Sequence, residues 1–182
     1  MKKIVFIIIV LFANVAFAQT KLDRFDVRFG VGTSLLGTGD MITTTLETEL
    51  NYKLNSYFTA AVSAASGKGA NGVFEQASFF QGNLNAFFSP FRNDKINDFR
   101  IGGGLSYNGV SDVYRISSIY ENGQPISSEY RFDNRRSFGG NIIIENTLAI
   151  ANKYLLGVKA FTQPFFNGDI NSGIVLKLGV KI

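Results

Sequence analysis

Apolar and polar residues alternate with a period of two through most of the chain, and the alternation is clearest at its end. Within residues 173–182, Ile174, Leu176, Leu178, Val180 and Ile182 share one face, while Lys177, Gly179 and Lys181 occupy the other. This is the period of an extended strand, whose successive side chains point to opposite sides. The same pattern predicts strands over 25–34, 41–54, 57–65, 73–88, 99–108, 136–150 and 154–163, giving eight with the last. Turn-forming residues separate them at 37–40, 55–56, 89–98 and 151–153, with longer connections at 66–72, 109–135 and 164–172. The N-terminal run aside, no segment carries a sustained 3.6-residue apolar stripe, so the chain reads as all-β.

One face of nearly every predicted strand is almost free of charge. The other collects Asp26, Arg28, Glu47, Glu49, Arg100, Glu145, Lys159, Lys177 and Lys181, with both signs present. A soluble, calycin-like barrel would turn its apolar face inward, and a membrane barrel would turn it outward, so alternation by itself permits either. Strand length and connection length favour the membrane. Ten residues at ~3.3 Å rise, tilted ~45°, climb about 23 Å, close to the ~25 Å apolar band of outer-membrane barrels. Short connections alternate with longer ones, as periplasmic turns alternate with outer loops, although 37–40 is brief and 89–98 is long for its side. The nine charged residues are then expected to form a lumenal polar network. An eight-stranded interior is just wide enough for side chains to fill it, which favours a plug over an ion path.

The N-terminus carries a different signal. Lys2 and Lys3 precede an apolar run over 4–12, and Ala16-Phe17-Ala18 supplies a small-x-small cleavage site, so residues 1–18 read as a secretory signal peptide and 19–182 as the mature domain. Without its two lysines the mature chain has 16 basic residues against 14 acidic ones, a net charge of +2. That small excess, with no cluster of basic and stacking residues, gives no nucleic-acid signature. The sequence contains neither cysteine nor histidine, which removes disulfides, thiolate metal sites and the usual hydrolytic triads. No catalytic, cofactor-binding or metal-ligating residues are predicted. The letters Gly67-Lys68-Gly69-Ala70-Asn71-Gly72 match G-x-G-x-x-G but precede a strand, so they are expected to form a flexible outer loop.

Residues 171–178, Asn-Ser-Gly-Ile-Val-Leu-Lys-Leu, match the spacing polar-x-Gly-x-x-apolar-x-apolar. With the eight alternating strands, this resembles the small eight-stranded outer-membrane barrels of the OmpA/OmpX kind, in their Bacteroidetes-type form. The resemblance covers residues 22–182 and implies an antiparallel up-and-down transmembrane β-barrel, outer-membrane lipid as surroundings and recognition by the outer-membrane assembly machinery. The chain departs from the family in ending on Ile182 rather than an aromatic residue and in lacking tryptophan. Its interfacial girdles would be built from Phe25, Tyr52, Phe58, Phe88, Phe99, Tyr107 and Tyr154.

Within 109–135, two strand-like runs flank Asn122-Gly123, the dipeptide of a tight hairpin turn. The expectation is a hairpin projecting beyond the membrane, with Tyr114, Arg115, Tyr120, Tyr130 and Arg131 available to a protein or glycan. Arg131, Arg135 and Arg136 are candidates for lipid phosphates. The function expected is a non-enzymatic barrel serving surface interaction or envelope integrity, with a narrow porin-like channel or a soluble secreted binder as alternatives.

Overall fold

A computed structural model describes residues 24–37, 41–71, 75–121, 124–150 and 153–182. The predicted signal peptide lies outside them. Eight strands form the fold: β1 (Phe25–Gly37), β2 (Met41–Lys53), β3 (Phe58–Asn71), β4 (Glu75–Phe88), β5 (Asn97–Glu121), β6 (Gln124–Ile150), β7 (Tyr154–Pro164) and β8 (Ile170–Lys181). Each pairs antiparallel with its sequence neighbours, and β8 returns to β1 to close the barrel. Closure leaves the spanning region without a sheet edge, which is what a strand-built membrane span requires.

The register sets the barrel's shape. From Phe25 the lateral partners run through Tyr52, Ala60, Ala86, Gly103, Ile142, Thr162 and Ser172 and return to β1 at Leu35. One circuit therefore climbs ten residues, from Phe25 to Leu35. With ~3.3 Å per residue and ~4.8 Å between strands, that stagger tilts the strands by about 40°.

The outward positions are apolar: Phe29 is 62 % exposed and Leu178 65 %. The inward positions are polar: Arg100 and Glu49 are fully buried. Aromatic rings gather in two bands. Phe25 with Tyr52, Phe58 with Phe88, and Phe91 with Phe99 pair at the end carrying the chain termini, whereas Tyr107 with Phe138 pair at the other end. Phe99 and Tyr107 are eight residues apart on β5, which at this tilt separates the bands by about 20 Å along the axis. Among the described residues, no outward position between the bands is charged. Water does not solvate such a belt favourably, and hydrocarbon does, so the barrel spans a bilayer.

The long outer connections expected from the sequence are mostly strand. Gly67 to Asn71 belong to β3 and pair with β2 or β4, which corrects the flexible loop expected there; Gly72 lies outside the described residues. The β7–β8 connection shortens to residues 165–169, and residues 109–121 and 124–135 extend β5 and β6. Ladder hydrogen bonds keep the backbone satisfied above the membrane, so these segments have no need to become irregular.

Candidate functional site

The lumen is stacked in tiers. Nearest the termini, four carboxylates face four cations. Asp26 pairs with Arg28 at 2.6 Å, and Arg28 also donates to Glu145 and to Thr147 Oγ1. Arg100 Nη2 reaches Glu49 at 2.7 Å and Glu145 at 2.8 Å, while its Nη1 donates to Asn51 Oδ1. Lys177 lies 2.7 Å from Glu49, 3.1 Å from Glu145 and 3.5 Å from Glu47, and Lys159 lies 2.5 Å from Glu47. These eight side chains come from β1, β2, β5, β6, β7 and β8, and all are buried. The acids and bases balance, so no net charge is held in the low-dielectric interior. Arg100 additionally lies over the Phe87 ring, 3.9 Å from its centroid.

Lys181 differs from the other eight. It is only partly buried at the terminal rim opposite Asp26 on β1, and it makes no ion pair within 4.0 Å among the described residues. Four residues along β8 from Lys177, it sits apart from the eight-member ion-pair cluster that the other charges form. Asn93 covers this mouth, accepting from Lys53 Nζ at 2.7 Å and donating to Asn55 O.

Above the charges lies a tier of amides and hydroxyls, including Asn83, Asn85, Ser106, Asn141 and Gln163. Asn141 donates to Asn85 at 2.7 Å, and Asn83 links Ser63, Ser106 and Gln163. Higher still, Leu36, Ala65, Ala77, Phe79 and Val110 form a buried apolar cluster with Met41 against it. This cap was not read from the sequence. Its signal lay in the tandem Phe79-Phe80: strand alternation sends only one of the pair to lipid, and Phe79 packs inward across Gly67. A Cβ on Gly67 would meet Phe79 Cε1 at 2.3 Å.

Beyond the cap, above the outer aromatic band, Arg135 contacts Asp112 at 2.6 Å, Asp133 at 3.2 Å and Asp169 at 3.1 Å. Burial holds the Asp112 carboxyl above its usual range against the opposing pull of Arg135. Arg135 is thereby committed inward, and its expected role toward lipid phosphate is corrected. Arg136 occupies the outward position and is exposed.

The β5–β6 hairpin continues outward with register shifts at Arg115/Ser117 and Ile119/Tyr120. β4 accompanies β5 only as far as Tyr114, and β7 accompanies β6 only to Ile142, with one further bridge at Gly139. Residues 124–137 of β6 thus have an edge unpaired by any other described strand on that side. Tyr114, Tyr130 and Arg131 are exposed on the hairpin, Phe132 is 72 % exposed, and Arg115 is partly buried. The side chain of Tyr120 and the Asn122-Gly123 turn lie outside the described residues.

No family model matches the sequence, and a search of curated proteins returns no match. Solved structures do match. Neisserial surface protein A superposes with a TM-score of 0.63 at 14 % identity, covering 87 % of this chain and 97 % of that one. Ail, the attachment invasion locus protein of Yersinia pestis, gives 0.58 at 10 % identity, with 86 % and 97 % covered. A structure of Ail with the heparin analogue sucrose octasulfate gives 0.57 at 13 %, with 86 % and 97 % covered. The fold is that of the small eight-stranded outer-membrane β-barrels, as the sequence resemblance implied.

Proposed function

We propose that this chain is a non-enzymatic outer-membrane barrel whose lumen is sealed and whose β5–β6 hairpin presents a surface for another molecule outside the cell. The hairpin carries the reading: it rises from a closed barrel with a β6 edge that no other described strand pairs and with exposed Tyr130, Arg131 and Phe132. A free edge offers unpaired backbone groups, and aromatic and arginine side chains beside it supply the contacts that protein and glycan partners use. An anionic glycan accords with the arginines and with the sulfated ligand in the Ail structure. Residues 1–18 act as the export signal, and residues 171–178 address the chain to the assembly machinery.

A sealed lumen is supported by the balanced ion pairs, the apolar cap and the covered terminal mouth. In planar bilayers the purified protein should give no reproducible unitary conductance; regular steps would return the porin reading. The hairpin is tested by excising residues 116–129. A cut from Asp112 to Asp133 would also remove the Tyr114 pairing with β4 and two Arg135 partners. The shorter deletion should fold and lose binding to whole-cell or glycan-array partners that the intact protein retains. Unchanged binding would refute the hairpin's role.

A further inference from the structure

We infer that the outer mouth of the barrel holds a binding cup for a small organic cation with an apolar body, a site separate from the hairpin edge. The cup has a volume of about 390 Å³, at the small end of the range for small-molecule sites. Its floor is the outer surface of the apolar cap, through Leu36, Met41 and Ala77. Its wall includes Asp112, Asp169 and Arg135.

The charge on that wall is unequal. Asp112, Asp133 and Asp169 all converge on the single guanidinium of Arg135, which leaves two negative charges unbalanced within the cluster. Asp112 commits Oδ2 to Arg135, and its buried Oδ1 has no hydrogen-bond partner. A buried carboxylate oxygen without a donor is costly, and an incoming ammonium group would supply one. The adjoining floor offers nothing polar, so the remainder of the ligand must be apolar to gain from desolvation. An anion would meet the lining carboxylates of Glu75, Asp112 and Asp169, and a hydrated metal ion would leave the apolar floor unused. Both parts of the cup therefore point to an amphiphilic amine.

The chain contains no tryptophan, so indole fluorescence reports only an added ligand. Tryptamine is titrated into the full-length mature protein in zwitterionic nanodiscs, with empty nanodiscs subtracted, and is compared with neutral tryptophol and anionic indole-3-propionate. Saturable tryptamine binding is expected, at least tenfold tighter than tryptophol, with indole-3-propionate not bound. Asp112→Asn and Asp169→Asn should each weaken tryptamine binding several-fold and leave tryptophol unchanged. Circular dichroism checks that both variants fold, and Asp169→Asn, outside the strands, serves if Asp112→Asn does not. Equal affinity for amine and alcohol, wild-type affinity in folded Asp169→Asn, or no saturable binding would each overturn the inference.

Discussion

Replacing Glu49 with glutamine tests whether the lumenal charges act as one packed unit. Glu49 Oε1 accepts from Arg100 at 2.7 Å and Asn51 at 2.9 Å, and Oε2 accepts from Lys177 at 2.7 Å. A glutamine keeps one acceptor and turns the other into a donor, so whichever way it rotates, an N–H faces a cationic or amide N–H. The change also leaves four buried cations with three carboxylates. Removing one member of a buried pair costs about 3–5 kcal/mol, chiefly because its partner stays buried and uncompensated. Lys177→Met should be similarly costly, since it takes a donor from both Glu49 and Glu145 and leaves four buried carboxylates with three cations. Together the two substitutions restore neutrality, so the double variant should lose at least ~2 kcal/mol less than the sum of the single losses. Urea unfolding of the refolded protein in detergent micelles, followed by far-ultraviolet circular dichroism, measures all four states. Additivity within ~0.5 kcal/mol, or a loss below ~1 kcal/mol for Glu49→Gln, would show that water screens these charges and refute a packed plug.

Gly67→Ala places a methyl 2.3 Å from Phe79 Cε1 and 2.9 Å from Thr44 O; a loss of about 1–3 kcal/mol is expected from overpacking, and Phe79→Leu in the same chain should recover part of it in the same unfolding assay. Leu176→Arg lies midway between the aromatic bands and should cost ~2–4 kcal/mol in bilayers, whereas Val180→Arg at the terminal band should cost ~1 kcal/mol or less; equal losses would contradict the placement of the belt. Because burial raises the Asp112 carboxyl above its unfolded value of 3.8, the folded chain binds the extra proton first as pH falls. The outer cluster should therefore gain stability on acidification through the folded-state value and lose it as pH rises. Protease protection of the hairpin across mildly acidic pH measures this, and Asp112→Asn should flatten the profile.

Much of the barrel was legible because the pleat of a strand is a local property. Alternation around Lys177 assigned Ile174, Leu176, Leu178 and Val180 to lipid and Lys177 to the lumen, and each of the four is exposed while Lys177 is buried. Strand ends were harder to read. Glycines, serines and asparagines in 109–135 and 66–72 look like loop in one dimension, yet the described residues of both segments pair as strand because neighbouring backbone is in reach. The apolar cap escaped notice for a related reason. Leu36, Phe79 and Val110 come from three strands, and their inward positions become neighbours only once the barrel closes.

The sequence by itself determined the central part of each of the eight strands, which way the side chains there point and that the inward face holds acids and bases together. It did not determine which acid meets which base. Sliding one strand by two residues leaves every side chain on its own face while replacing every lateral partner, so the alternating pattern is blind to such shifts. The ten-residue stagger chose among them, bringing Glu49 and Glu145 to Arg100 and Lys177 and leaving Lys181 apart at the rim. That choice belongs to the closed barrel, because only closure requires all eight registers to agree at once.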